Sequence, residues 1–420
     1  MIINTIEQFE SFIKPLYRTF SVEKITREDV QNWILGPETY RHQSNGFFSI
    51  IGIENLETKK EEIMLFQPQH GITGLIISKH NNSEYFLLQA RGEPGYINGI
   101  QVGPTVQATP ANYLKFHHGK SSRYIEYFIQ SMPDSEIIDE STQMDFGGKY
   151  LYKNKRQIIV ELKTMLETTD IYFWIKKSVI IELLKQDFTL NADLLSLLSK
   201  YFSLTSVLLT GDTQQVGKLF RDMYLLNTKS SKHKYQLKAL HSFDNLNVSD
   251  DGVFEKVSHQ ELSIEFFHVK TTGRENNDWT QPLLRSKSHG LVIMLTYMKD
   301  DKRYFKIKMD TEFGLTHKYG IFPSFVAYPG DHSVKELVIK TLSRNSPYHE
   351  VSLLKVSDEG GRFYHDYSDY SLIEMSEQPI LNLEDHEYWV SKDELSFLLS
   401  FSNLCSIQLR VISALIFGLY

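Results

Sequence analysis

Only one cysteine, Cys405, occurs in the 420 residues. A single thiol closes no internal disulfide, and this one lies inside the apolar helical stretch LLSFSNLCSIQLRVISALIFG, where it reads as packing and not as a nucleophile. No unbroken apolar run approaches the roughly 20 residues that a membrane-spanning helix needs. The opening MIINTIEQFESFIKPLYRTF carries acidic residues within its apolar pattern, which suits a helix better than a signal peptide. The expectation is a cytoplasmic protein with reduced thiols and no membrane partner. Positive charge is not in surplus either: the formal net charge is −7, which leaves no basic surface for a phosphate backbone and argues against a nucleic-acid partner. A glycine-rich dinucleotide loop between a strand and a helix is missing, as is any cysteine or histidine cluster at metal-ligand spacing, so hydride transfer and metal hydrolysis lose ground.

What is there is ordinary globular composition, 41% hydrophobic and 23% charged. The length exceeds the size at which a single core stops growing, so two folded units or one duplicated unit are expected. The chain compared with itself favours duplication. Phe47-Phe48 recurs as Phe266-Phe267, His70-Gly71 as His289-Gly290, Tyr85-Phe86 as Tyr304-Phe305, Glu93 as Glu312, Gly95 as Gly314, Pro104 as Pro323 and Pro110 as Pro329, each pair 219 residues apart. Beyond that window the offset shrinks: Asp-Phe-Gly-Gly-Lys at 145–149 answers Asp-Glu-Gly-Gly-Arg at 358–362, and Trp174 answers Trp389. Shared glycines, prolines and aromatics imply the same turns and strand faces in both copies.

Within a unit, ITGLIIS, SEYFLLQA, GGKYLYKN and RQIIVEL are β-branched or aromatic runs between turn residues and suit a mixed sheet. SVIIELLKQDFTLNADLLSLLSKYF and its counterpart SKDELSFLLSFSNLCSIQLRVISALIF have helical spacing and close each unit. A further helix is expected at HSVKELVIKTLS after Pro329. The fold class is therefore α+β, a tandem duplication of one mixed-sheet unit with a closing helix. The boundaries expected are a helical arm over 1–46, a first unit over 47–202, a turn-rich linker with helical pieces over 203–262, and a second, degenerate unit over 263–420.

Residues 89–128 are the most unusual stretch, with few apolar core residues and with glycine and proline turns around Gln89, Arg91, Glu93, Gln101, Thr105, Gln107, Thr109, Asn112, Tyr113, His117 and Lys120. So long and polar a loop in a folded domain, carrying fixed prolines and aromatics, is expected to bind something.

This stretch resembles the NDP-hexose 2,3-dehydratases of deoxysugar biosynthesis. Gln89 to Gly95 match the family's glutamine-alanine-basic-x-glutamate-proline-glycine motif, and Pro104 to Thr109 its proline-threonine-valine-glutamine-alanine-threonine. Asn112-Tyr113, His117 to Gly119 and the Tyr124 to Phe128 end continue it, and Glu359 to Tyr364 with Asn403, Gln408 and Arg410 extend it into the second half. The resemblance implies a duplicated Nudix-like fold, a homodimer, a dTDP-linked or related nucleotide sugar as substrate, and no cofactor or metal. The sequence also lacks the helix with several glutamates after an arginine that a Nudix hydrolase uses to hold magnesium. A 3-ketoreductase would capture the unstable product. Proton transfer is expected from Glu93, Tyr113 and His117, and substrate contacts from Gln89, Arg91, Gln101, Thr105, Gln107, Thr109, Asn112, Lys120 and Arg362. Other readings stand beside these. Glu93 could serve its proline-glycine turn, Tyr113 could stack on a base, His117 could face solvent, and Arg362 could pair with Asp358 or Glu359 at the surface. The second copy has Phe313 for Pro94, Lys308 for Gln89 and Tyr328 for Thr109, so only the first is expected to keep the full polar set. The competing reading is a non-catalytic nucleotide-sugar-binding protein of the same fold.

Overall fold

The computed structural model describes residues 1–113, 122–206, 214–229, 234–243, 246–248, 254–256, 262–271, 277–329, 338, 348–376 and 386–420. The helix expected after Pro329 and the candidates His117 and Lys120 lie outside them, apart from residue 338, which is helical.

Two large mixed sheets repeat one topology. In the first, Tyr172–Lys176, Ser83–Gly92, Gly71–His80, Asn154–Leu162 and Ser135–Met144 lie side by side; in the second, Glu387–Ser391, Lys302–Asp310, Gly290–Lys299, Tyr367–Met375 and Tyr348–Ser357 take the same order. The parallel pair falls at the same place in each, Asn154–Leu162 on Gly71–His80 and Tyr367–Met375 on Gly290–Lys299. Even the irregularity in the outer strand recurs, between Ile137 and Asp139 and between Glu350 and Ser352. Alternation explains the faces: Leu75 and Ile77 join the main core, whereas Ile72 and Ile76 join a second cluster on the opposite face.

The closing helices sit at the centre. Ala192–Ser206 and Ile407–Leu419 pack against each other, and Leu194, Leu198, Tyr201, Leu409, Ile412 and Leu415 all lie in one shared, solvent-free core. Each is preceded by a short helix running straight off a strand. In the second copy that helix, Lys392–Leu399, begins with a capping box, Glu394 N–H to Ser391 Oγ at 3.2 Å and Ser391 N–H to Glu394 Oε2 at 2.8 Å.

The ends of the two units hold strands as well as helices. Residues 1–46 are not a helical arm: the helix Ile6–Leu16, capped by Thr5, leads into the strands Phe20–Ile25, Trp33–Leu35 and Thr39–His42. In the stretch read as a linker with helical pieces, the helix is Gln214–Lys229, and the strand Tyr235–Lys238 follows it. These strands cross over. Phe20–Ile25 pairs with Leu262–Thr271 of the second copy, and Tyr235–Lys238 pairs with Ser49–Asn55 of the first. Local periodicity marks such strands but says nothing of which sheet they join, because that choice is made by partners 180 or more residues away.

The copies also exchange turns. Gly95 N–H donates to Gly360 O at 2.7 Å and Gly314 N–H donates to Gly147 O at 2.7 Å, while Gly95 O accepts from His365 N–H and Gly314 O from Tyr152 N–H. A Cβ on Gly95 would stand 1.5 Å from Phe363 O, and one on Gly314 1.8 Å from Tyr150 O. Only glycine admits so close a backbone, which accounts physically for the repeated Glu-x-Gly. Each copy's Glu-x-Gly turn is thus seated on the other's Asp-x-Gly-Gly segment.

Candidate functional site

The first sheet is split at one end. Gly71–His80 and Ser83–Gly92 pair from Ile76 to His80, then part: residues 72–74 pair with Val106–Ala108, and 89–92 with Ile100–Gly103. Thr105 fills the fork, its hydroxyl donating to Leu87 O at 2.5 Å and accepting from Ile76 N–H at 2.8 Å. It is fully buried, and Ser324 makes the matching bonds in the second copy, so Thr105 stands in the sheet framework and not at a ligand surface. Gln101 is also buried and donates to Ser357 Oγ at 2.7 Å, tying the copies together.

Beyond the fork the strand ends in a tight turn. Glu93 N–H donates to Gly99 O, and its carboxylate accepts from Arg91 Nε at 2.6 Å. The other Glu93 oxygen faces Gly361 of the second copy, where a Cβ would lie 3.0 Å away. Gln89 is half-buried, in register with Tyr172. Gln107 lies between Val106 and Ala108, which face the outer cluster, so it points the other way and donates to Asp193 Oδ2 at 2.6 Å. Asn191 bridges from Gln107 Oε1 to the Tyr96 hydroxyl. Thr109 bonds Asn112 across the start of the short helix Pro110–Tyr113. Tyr113 packs on the outer cluster with Tyr124, Tyr172 and Trp174. Glu93 at the seam and Tyr113 on the outer cluster are therefore set apart.

Sequence reading missed the charges opposite this turn. Lys155 reaches Asp193 at 2.9 Å, Asp145 at 3.0 Å and Glu359 at 3.5 Å; Lys153 reaches Glu359 at 2.7 Å and Asp145 at 3.3 Å; the Tyr150 hydroxyl donates to Glu359 at 2.7 Å. All are buried or nearly so. Burial alone would raise the Glu359 carboxyl, but the Lys153, Lys155 and Arg362 cations hold it well below the usual carboxylate range. Burial lowers the Lys153 amine, and Glu359 and Asp145 only partly oppose it. For Asp193, burial wins over Lys155 and the carboxyl is raised. Such a set keeps its charges out of water and can pass protons among its members. The available signal was the run of lysines at 149, 153 and 155 inside an apolar strand pattern, where unpaired cations do not belong.

Arg362 does not pair at the surface. Its guanidinium lies 4.4 Å from the centre of the Phe48 ring of the first copy, with Nη1 donating to Gly361 O at 2.8 Å and Nη2 to Gln67 Oε1 at 3.4 Å. Its counterpart Lys149 is instead clamped by Asp358 and by Asp366 at 2.9 Å, carboxylates that hold its amine above the ordinary range despite burial.

The second copy keeps one unusual acid. Glu312, the counterpart of Glu93, accepts from the Tyr328 hydroxyl at 2.7 Å, and Gln408 donates to that hydroxyl at 2.8 Å. Burial pushes the Glu312 carboxyl up to about 7, Asp310 adds to this, and the Tyr328 bond opposes it. Raised above its ordinary 4.5, it contributes stability that is complete below that value and is lost as pH climbs through about 7. Glu312→Gln is expected to flatten the pH dependence of urea unfolding between pH 5 and 8. Parallel curves for the two proteins would refute this.

Fold and site together define a duplicated mixed-sheet protein with buried acids and bases gathered where the copies meet. The chain belongs to the NDP-hexose 2,3-dehydratase family, whose profile matches residues 8–201 and again 222–416. It is a hydro-lyase that acts on a nucleotide sugar. A dTDP-4-dehydro-6-deoxy-alpha-D-glucopyranose 2,3-dehydratase of Streptomyces violaceoruber is 26% identical, covering 93% of this chain and 92% of the relative. Proteins of the same name from Amycolatopsis orientalis (26% identity, 94% of this chain, 86% of the relative) and Saccharopolyspora spinosa (23%, 96% and 89%) are also similar. A solved structure described as an ADP compounds hydrolase covers 36% of this chain and 79% of its own at 14% identity, with a TM-score of 0.20, too low to bear on the fold. No helix among the described residues is long and apolar enough to cross a membrane.

Proposed function

We propose that the protein removes water across carbons 2 and 3 of a dTDP-4-keto-6-deoxyhexose without a metal or a nicotinamide. The observation that carries this is the family match over both copies, 8–201 and 222–416, together with relatives named for that reaction. The chemistry suits buried acids and bases. The carbon 4 ketone acidifies the hydrogen on carbon 3; a base takes that proton and the electron pair moves onto the carbon 4 oxygen as an enolate. The enolate re-forms the ketone as the carbon 2 hydroxyl leaves with a proton from an acid, giving water and an enol that tautomerises to a 3,4-diketo sugar. Glu93 is the base in this reading, with His117 as the source of the returning proton; Tyr113, the other candidate, packs on the outer cluster apart from Glu93. Gln89, Arg91, Gln107, Thr109, Asn112, Lys120 and Arg362 supply substrate contacts.

A Nudix-like ancestry for each copy, a homodimer, a cytoplasmic setting and a 3-ketoreductase acting on the diketo product complete the proposal. Incubation with dTDP-4-keto-6-deoxyglucose should give a product lighter by one water, or free dTDP from its decay, equally with and without chelator. The Arg91 bond to Glu93 favours one other reading, a turn held for binding alone. Binding of the sugar nucleotide with no loss of water would select it.

A further inference from the structure

Arg362 and Gln67 meet across the seam, and each has a buried N–H that nothing among the described residues accepts. The side chain of Gln67, a residue 1% exposed, turns Oε1 to the guanidinium, as it must, because Arg362 offers only donors. That orientation leaves Gln67 Nε2 with no acceptor, and Arg362 Nε likewise has none. A buried donor left unmet is costly, so two of them on touching side chains mark a place where an acceptor is brought from outside.

The matching position in the other copy shows what usually fills such a place. Lys149 occupies the same step of the Asp-x-Gly-Gly-basic segment and is neutralised by Asp358 and Asp366. Facing Arg362, the residues in corresponding positions are Asp145 and Lys153, and Asp145 is committed to Lys153 and Lys155. Glu359, the remaining nearby carboxylate, is held by Tyr150, Lys153 and Lys155.

The shape of the donor set narrows the acceptor. A diphosphate is best held by a fork of two terminal guanidinium nitrogens, and here Nη1 and Nη2 each already spend one N–H inside the protein, on Gly361 O and Gln67 Oε1. The nitrogens with no acceptor at all are Arg362 Nε and Gln67 Nε2, near the Phe48 ring, and such a pair suits a single oxygen that gains charge in a dry setting.

We propose that Arg362 Nε–H and Gln67 Nε2–H bind the carbon 4 oxygen of the sugar and stabilise it as the enolate forms. This rests on the dehydration reading above and names the group that receives the displaced electron pair. Both are then catalytic residues contributed from opposite copies: Gln67 from the end of the strand Glu61–Phe66, Arg362 from the Asp-x-Gly-Gly-basic turn of the second copy.

The test uses the full chain with Gln67→Leu and Arg362→Lys, measuring kcat and KM by loss of water and the affinity for dTDP, which has the diphosphate but no sugar. Each variant is expected to lose about 10²–10³-fold in kcat, as removal of one oxyanion donor does, with dTDP affinity unchanged. Retained dTDP binding also reports an intact fold. Wild-type kcat in both variants, or lost dTDP affinity with kcat kept at saturation, would overturn the assignment. A wild-type protein that binds dTDP but dehydrates nothing would instead overturn the dehydration reading.

Discussion

Lys155→Met is expected to destabilise the protein by about 3–5 kcal/mol, because it leaves buried carboxylates without their shared cation. Lys155 touches both oxygens of Asp193, at 2.9 and 3.0 Å, and Asp145 at 3.0 Å, and neither carboxylate has more than 5% of its side chain exposed. Asp145 retains Lys153, whereas Asp193 keeps only the Gln107 amide among the described side-chain contacts. The Asp193 carboxyl, already raised by burial, must rise further without Lys155. A carboxyl with a raised folded pKa favours the native state at low pH and loses that contribution as pH climbs. The deficit of the variant is therefore smallest in acid and grows toward pH 8. Urea unfolding at pH 5 and pH 8 reads this directly. Adding Asp193→Asn to Lys155→Met should recover part of the loss at pH 8. Stability equal to wild type at both values would show that the network is not held by this ion.

Glu93→Gln is expected to lower kcat for dehydration by about 10²–10⁴-fold, the range for loss of a general base, while dTDP still binds. Glutamine keeps the shape and an oxygen for Arg91 Nε, so the turn on which Gly95 is seated survives. A structural role predicts another pattern: a lower unfolding midpoint with kcat preserved in the folded fraction. Activity within a few-fold of wild type would remove Glu93 from proton transfer.

The two copies carry the same frame but spend their buried charge differently. At Lys149 the cation is matched by two aspartates within the protein, whereas at Arg362 the equivalent positions hold Asp145 and Lys153. That difference of a few side chains, on a backbone repeated down to its bulge and its Glu-x-Gly turn, separates a cation matched by two carboxylates from one held by Gln67 and the Phe48 ring.

Much of this was legible in the residues. The 219-residue repeat, the strands at 71–80 and 83–92, the closing helices and the polar stretch after Gln89 follow from alternation, helical spacing and the placing of glycine and proline. Those signals are local, and each side chain's face is set by neighbours two to four residues away. Thr105 looked like a ligand contact because it sits in a polar motif, yet the fork between two strands claims its hydroxyl. Phe20–Ile25 and Tyr235–Lys238 read as arm and linker, because a strand's own residues do not record that its partner belongs to the other copy. Lys153 and Lys155 carried no motif meaning, and the motif that holds Glu359 and Arg362 did not name their partners, which lie up to about 300 residues away and with burial set the charge states. The single cysteine, the missing membrane-length apolar run and the duplication belong to the sequence by itself. Which charges meet in the seam, and which donors wait there unmet, was decided only when the two copies closed on each other, because desolvation and opposite charge act through space and not along the chain.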